Sequence, residues 1–188
     1  MMMSIKDAET YMQSGKYDKA KEILEQILSH TPDDVEAICN IGIAYTETGE
    51  NIKAIKALEY YTGRITDNSR AWEALGCAYF RRKDYSAAYR HLRQAQQLSP
   101  ENPSILRNMG VLFGVRGEKE LGYNMLKQAL ELSPLDYRTL YALSYVHKEF
   151  GNREEAGETM ERLLNMELPV EIQRDTMLNK IKLDINWD

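Results

Sequence analysis

Shifted against itself by 34 residues, the chain falls without a gap into five blocks, 1–34, 35–68, 69–102, 103–136 and 137–170. Such a period constrains folding more than composition does. Each block is one small unit that must bury its apolar face on its neighbours. The eighth position of the blocks is always small (Ala8, Gly42, Gly76, Gly110, Ser144), and a ring follows three residues later (Tyr11, Tyr45, Tyr79, Phe113, His147). The twentieth is small again (Ala20, Ala54, Ala88, Gly122, Ala156), and the twenty-fourth is large and unbranched at Cβ (Leu24, Leu58, Leu92, Leu126, Met160).

These columns predict two helices per block. Trp72, Leu75, Gly76 and Tyr79 share one helical face, and Ala88, Leu92 and Ala95 share another. Small residues at the eighth and twentieth positions let the two backbones approach, while the ring and the leucine fill the space beside them. Gly15, Gly49, Gly117 and Gly151 stand where a first helix ends and a left-handed cap is wanted; Lys83 takes that place in the third block. Pro32, Pro100 and Pro134 stop second helices. Asp34, Asn68, Asn102 and Asp136 are good N-cap residues just before the next first helix, and Pro103 follows at the first helical position.

The set Trp72, Leu75, Gly76, Tyr79, Ala88, Leu92, Ala95 and Pro100 resembles the tetratricopeptide repeat signature. The resemblance implies an all-α, right-handed superhelical solenoid of five helix–turn–helix repeats over 1–170. Ser4 and Asp7 break the apolar pattern of the first helix, as suits a helix with no neighbour upstream. After the fifth block, Ile172, Leu178, Ile181 and Ile185 recur at roughly helical spacing. They predict a solvating C-terminal capping helix within 171–188, of the kind terminal repeats need.

Composition narrows the function. Of 188 residues, 43% are apolar and 28% charged, and the net charge of −5 argues against nucleic acid and against anionic lipid. No run of about 18 apolar residues predicts membrane insertion. The start, Met1 to Asp7, has neither the basic nor the apolar part of a signal peptide, so the cytoplasm is the expected location. Cys39 and Cys77 lie on first helices outside the core columns and read as groove lining rather than a redox pair. His30, His91 and His147 have no acidic partner at triad or metal-ligand spacing, and His147 reads as a core stand-in. Arg81, Arg82 and Lys83 read as a solvated turn, and Tyr61 as core. No enzyme, cofactor or metal is expected.

The resemblance also implies a concave groove lined by first helices, holding a peptide or a partner helix. Carried onto this sequence, the candidate site comprises Asn40 in the second repeat and Arg70, Glu73, Cys77, Phe80 and Arg81 in the third. The fourth repeat adds Arg107, Asn108 and Val111, and the fifth adds Arg138, Tyr141 and Tyr145. Asn40 and Asn108 share a position where an amide offers a peptide backbone both donor and acceptor. Arg70, Arg107 and Arg138 place positive charge on an acidic protein, which favours an acidic or C-terminal protein segment as partner. The carboxylate clamp of chaperone-binding relatives survives only as an Asn–Arg pair. A self-assembling structural scaffold is the competing expectation, and a regulatory subunit or co-chaperone the less favoured one.

Overall fold

Four first helices begin where the sequence supplies a short polar side chain for their orphan amides. Asp34 accepts from the Ala37 amide, Asn68 from Ala71, Asn102 from Ser104 and Ile105, and Asp136 from Arg138. Ser4 and Asp7 close a reciprocal capping box at the first helix, so the polar Asp7 is a cap partner rather than a misplaced core residue. The computed structural model describes residues 3–185, and their regular structure is eleven α-helices.

The described residues form two compact units, one ending at Pro100 and the other beginning at Glu101. The first holds α1 (Ile5–Gln13), α2 (Tyr17–His30), α3 (Val35–Glu47), α4 (Asn51–Thr62), α5 (Ser69–Arg81) and α6 (Tyr85–Leu98). The second holds α7 (Pro103–Val115), α8 (Lys119–Leu132), α9 (Tyr137–Glu149), α10 (Arg153–Leu164) and α11 (Val170–Ile185). Within each unit, sequential helices pack on one another, and first helices also touch, α3 against α5 and α7 against α9. Each is an all-α helical repeat.

Packing follows the small-residue columns. Leu24 and Leu58 are fully buried, and Leu92 and Leu126 are 1% exposed. A Cβ added at Gly42, Gly76 or Gly110 would lie only 2.7–2.8 Å from Cγ of Leu58, Leu92 or Leu126. Glycine there lets the leucine lie directly on the partner helix backbone. The α7–α8 pair goes further, because a Cβ on Gly122 would meet the Gly110 carbonyl oxygen at 2.7 Å. Two glycines where the second and third blocks have a glycine and an alanine bring these backbones into contact.

The turns show one departure. Gly15, Gly49, Gly117 and Gly151 have φ between +71° and +85°, while Lys83 holds the same turn at +63°. A side chain there costs about 1 kcal/mol over glycine, since Cβ crowds the backbone in the left-handed region. Lys83→Gly should therefore raise the melting temperature by roughly 2–4 °C. Calorimetry showing no gain would mean that the lysine is compensated by its surroundings.

Two readings from the sequence gain detail from the structure. Cys39 lines a cavity and also belongs to the core, 5% exposed, and burial pushes its thiol up to about 11. Helix α3 is buried nearly all round, so a residue outside the repeat columns still reaches the core. In α11, the inward residues are Ile172, Thr176 and Leu183, whereas Leu178 and Ile181 are about half exposed. Polar contacts to α9 set the rotation of that helix; the Ile185 side chain and residues 186–188 lie outside the described residues. Three readings hold: Tyr61 is buried, Arg81 to Lys83 are exposed, and His147 packs edge-on against Tyr123 with burial holding its imidazole below the usual range. His91, on the second helix of the third block, lies stacked between Trp72 and Tyr79 at 5.6 and 5.2 Å.

Candidate functional site

In the second unit, the caps that start the helices also fix the edge of a cavity. Asp136 accepts from the Arg138 amide at 3.2 Å and the Thr139 hydroxyl at 2.6 Å, and its other task is to receive the Arg107 guanidinium at 2.8 Å. Arg107 also donates to Ser104 Oγ at 2.7 Å. The side chains of Arg107 and Asp136 are only 12% and 18% exposed. Burial alone would raise the Asp136 carboxyl, but Thr139 and Arg107 outweigh it and hold the group below the usual carboxylate range. Arg107 is thus held rigidly between α7 and α9.

Beside this pair lies a half-open cavity of about 510 Å3 on α7, α8 and α9. Its buried floor is Gly110, Gly122 and Leu126, with Gly114 next to them. Val111, Val115, Tyr141, Tyr145, Val146 and Phe150 give apolar walls. Arg107, Lys119, Arg138 and Glu149 supply the polar edge, where Lys119 pairs with Glu149 at 3.0 Å. Tyr141 and Tyr145 stand edge to face, with centroids 5.1 Å apart. Both hydroxyls donate to Asp175 on α11, and the Asn179 amide donates to the same carboxylate at 2.9 Å. The bond from Tyr145, more than any other, holds the Asp175 carboxyl below its ordinary range. Burial, and after it Tyr145 and Asp175, push the Tyr141 hydroxyl up.

A second cavity, of about 470 Å3, lies in the first unit. It is more polar than the first: Glu9, Glu36, Asn40, Asn68 and Arg70 line it together with Val35, Cys39, Ile43, Tyr61 and Ile65. Asn40 is 6% exposed and donates to Glu9 at 3.3 Å, and Asn68 donates to the Tyr61 hydroxyl at 3.0 Å.

The twelve candidate residues divide accordingly. Arg107, Val111, Arg138, Tyr141 and Tyr145 line the apolar cavity, and Asn40 and Arg70 line the polar one. Glu73, Cys77, Phe80 and Arg81 on α5, and Asn108 on α7, line neither; Phe80 packs on the Tyr85 ring at 5.6 Å. The sequence reading missed Gly110, Gly114, Lys119, Gly122, Leu126, Val146 and Phe150 in one cavity and Glu9, Val35, Tyr61, Ile65 and Asn68 in the other. One signal was present. Gly114 holds the twelfth position of its block, where the second and third blocks have Thr46 and Phe80. Among the described residues, no three or more His, Cys, Asp or Glu gather as a metal site would require, and no helix is long and apolar enough to cross a membrane.

Family profiles described as tetratricopeptide repeat match residues 11–76, 69–102 and 137–168, well over half of the chain together. No curated protein matches the chain. Among solved structures, TTC0263, a thermophilic TPR protein of Thermus thermophilus, is similar with a TM-score of 0.77 and 19% identity over 96% of this chain and 97% of that one. MamA is similar with a TM-score of 0.66 and 21% identity over 97% and 99%. PilF of Pseudomonas aeruginosa is similar with a TM-score of 0.71 and 17% identity over 97% and 90%. At such identities the likeness concerns the fold alone. The span between the matched profiles, 103–136, holds Gly110, Gly114 and Gly122.

Proposed function

Because the chain belongs to the tetratricopeptide repeat family, we propose that it is a non-catalytic adaptor that holds a segment of another protein against its first helices. The observation that carries this reading is the cavity between α7 and α9, which gathers five of the twelve candidate residues around one apolar hollow. Concave apolar sites with a few fixed polar groups at the edge are where binding energy concentrates. The ion pair Arg107–Asp136 and the bonds from Tyr141 and Tyr145 to Asp175 hold the lining in place before a ligand arrives, which lowers the ordering cost of association.

Position-specific cross-linking tests it. A photo-reactive phenylalanine analogue at Val111, inside the cavity, is compared with one at Leu121, an exposed residue on α8 outside its lining. A partner trapped from Val111 alone supports the groove. Trapping from Leu121 alone, or equally from both, moves the contact elsewhere. Charge reversal at Arg107 is unsuited to this purpose, since it would set two carboxylates together in a buried place.

Self-association is a second reading, favoured by Val170, Met177, Leu178 and Ile181 on α11, which are 46–74% exposed. Light scattering that stays at the 21.7 kDa monomer over a wide concentration range removes it.

A further inference from the structure

We infer that His147 is an acid-sensitive latch between α8 and α9: once its imidazole takes up a proton, the wall of the α7–α9 cavity loosens. The latch stands on the packing alone, while its consequence for a bound partner rests on the adaptor reading.

The ring column shows what sets this residue apart. Tyr45 on α3 donates its hydroxyl to Glu25 on α2 at 2.9 Å, and Tyr79 on α5 donates to Glu59 on α4. Each pair ties a first helix to the second helix of the preceding block. In the fifth block both members change. His147 takes the place of the tyrosine, and Lys127 on α8 takes the place of Glu25 and Glu59. A tie through a carboxylate has become a meeting of two basic residues, which is favourable only while one of them is neutral.

Burial makes the imidazole the neutral member. His147 is 9% exposed, and its Nδ1 is closed to solvent with no hydrogen-bond partner among the described residues. In an imidazolium both ring nitrogens carry hydrogen, so Nδ1 would become a charged, buried donor without an acceptor. The neighbouring ring offers little relief. Tyr123 on α8 meets His147 edge-on at 5.5 Å, and Lys127 Nζ already stands 5.6 Å from the centre of the same ring. Glu155 on α10 attracts the proton and Lys127 repels it; burial outweighs the attraction and holds the group below its ordinary range.

Tyr123 connects the latch to the cavity. It also braces Phe150 edge-on at 5.7 Å, and Phe150 and Val146 line the cavity beside Tyr141 and Tyr145. A cation at His147 therefore pushes α9 away from α8 along that wall. The sign is fixed by the direction of the shift. The folded ring releases its proton more readily than the unfolded one, so the contribution is whole above about pH 6.5 and is lost as pH falls through the folded value.

The test uses the full chain. Imidazole proton–nitrogen correlation spectra of the wild type follow the protonation of His147, its signals assigned by their loss in His147→Phe. Amide hydrogen exchange, corrected for the intrinsic effect of pH, reads the attachment of α9. Between about pH 7 and about pH 5, protection in α9 should fall at least about fivefold further in the wild type than in His147→Phe, which carries the ring of the fourth block. His147→Tyr combined with Lys127→Glu rebuilds the tie of the second and third blocks and should likewise keep its protection. Lys127→Gln should raise the pH at which His147 titrates, and Glu155→Gln should lower it.

A midpoint at or above about pH 6.5 would overturn the latch, since Glu155 would then be catching the imidazolium. Equal loss of protection in the wild type and His147→Phe would overturn it as well. Cross-linking of a partner from Val111 should fall at least about fivefold further at about pH 5 in the wild type than in His147→Phe. Equal yields there would break the link between latch and cavity. If no partner is trapped even at about pH 7, the adaptor reading fails, and hydrogen exchange still decides the latch.

Discussion

Replacing Leu92 with alanine should destabilise the protein by about 3–4 kcal/mol, the largest effect expected of any single truncation. Leu92 is 1% exposed and lies on Gly76, whose absent Cβ would stand 2.7 Å from its Cγ. Truncation removes apolar contact and leaves a hole that two helix backbones, fixed by their caps and turns, cannot readily close. At roughly 2–4 °C per kcal/mol for a chain of this size, the melting temperature should fall by about 10 °C. A loss below about 1 kcal/mol would show that the helices collapse onto the gap, and the leucine-on-glycine account of the packing would be abandoned.

The second large effect is expected at Asp136. Alanine there deletes an N-cap worth about 1 kcal/mol and takes the carboxylate away from a largely buried Arg107 guanidinium, for a total near ~3 kcal/mol. Asparagine keeps an acceptor for the Arg138 amide, so Asp136→Asn should lose less, about 1–2 kcal/mol. The sign with pH follows from the direction of the shift. Because the folded carboxyl titrates below its unfolded value, the contribution is fully present above about pH 4 and fades as pH falls through the folded value. Urea titrations of the wild type and Asp136→Asn from about pH 7 to about pH 3 should converge at the acid end. Curves that stay parallel would mean that the pair is not what shifts this carboxyl.

The period made the helices legible because each column answers one physical need. The caps Asp34, Asn68, Asn102 and Asp136 and the leucine column recur at the places where an orphan amide or a packing gap recurs. The site was less legible, since a repeat column states what blocks share while a pocket arises where one block differs. Gly114 is informative only by what it lacks, and Phe150 joins the wall from just beyond the end of α9. Arg107 was foreseen as groove charge, but its partner Asp136 was assigned to helix capping alone; one carboxylate performs both tasks. Tyr141 and Tyr145 were foreseen as lining without Asp175, because the polar side of α11 follows no repeat period.

That last contact ties two parts of the molecule thermodynamically. Asp175 belongs to the final helix, yet the rings it holds are the wall of the cavity. Local opening of α11 and filling of the cavity therefore draw on one shared free energy, and linkage makes the exchange reciprocal. A ligand that presses on Tyr141 and Tyr145 slows hydrogen exchange in α11, a helix it never touches. A partner that pulled α11 away would in turn release the ligand, so the end of the chain has a hold on how long the cavity stays occupied.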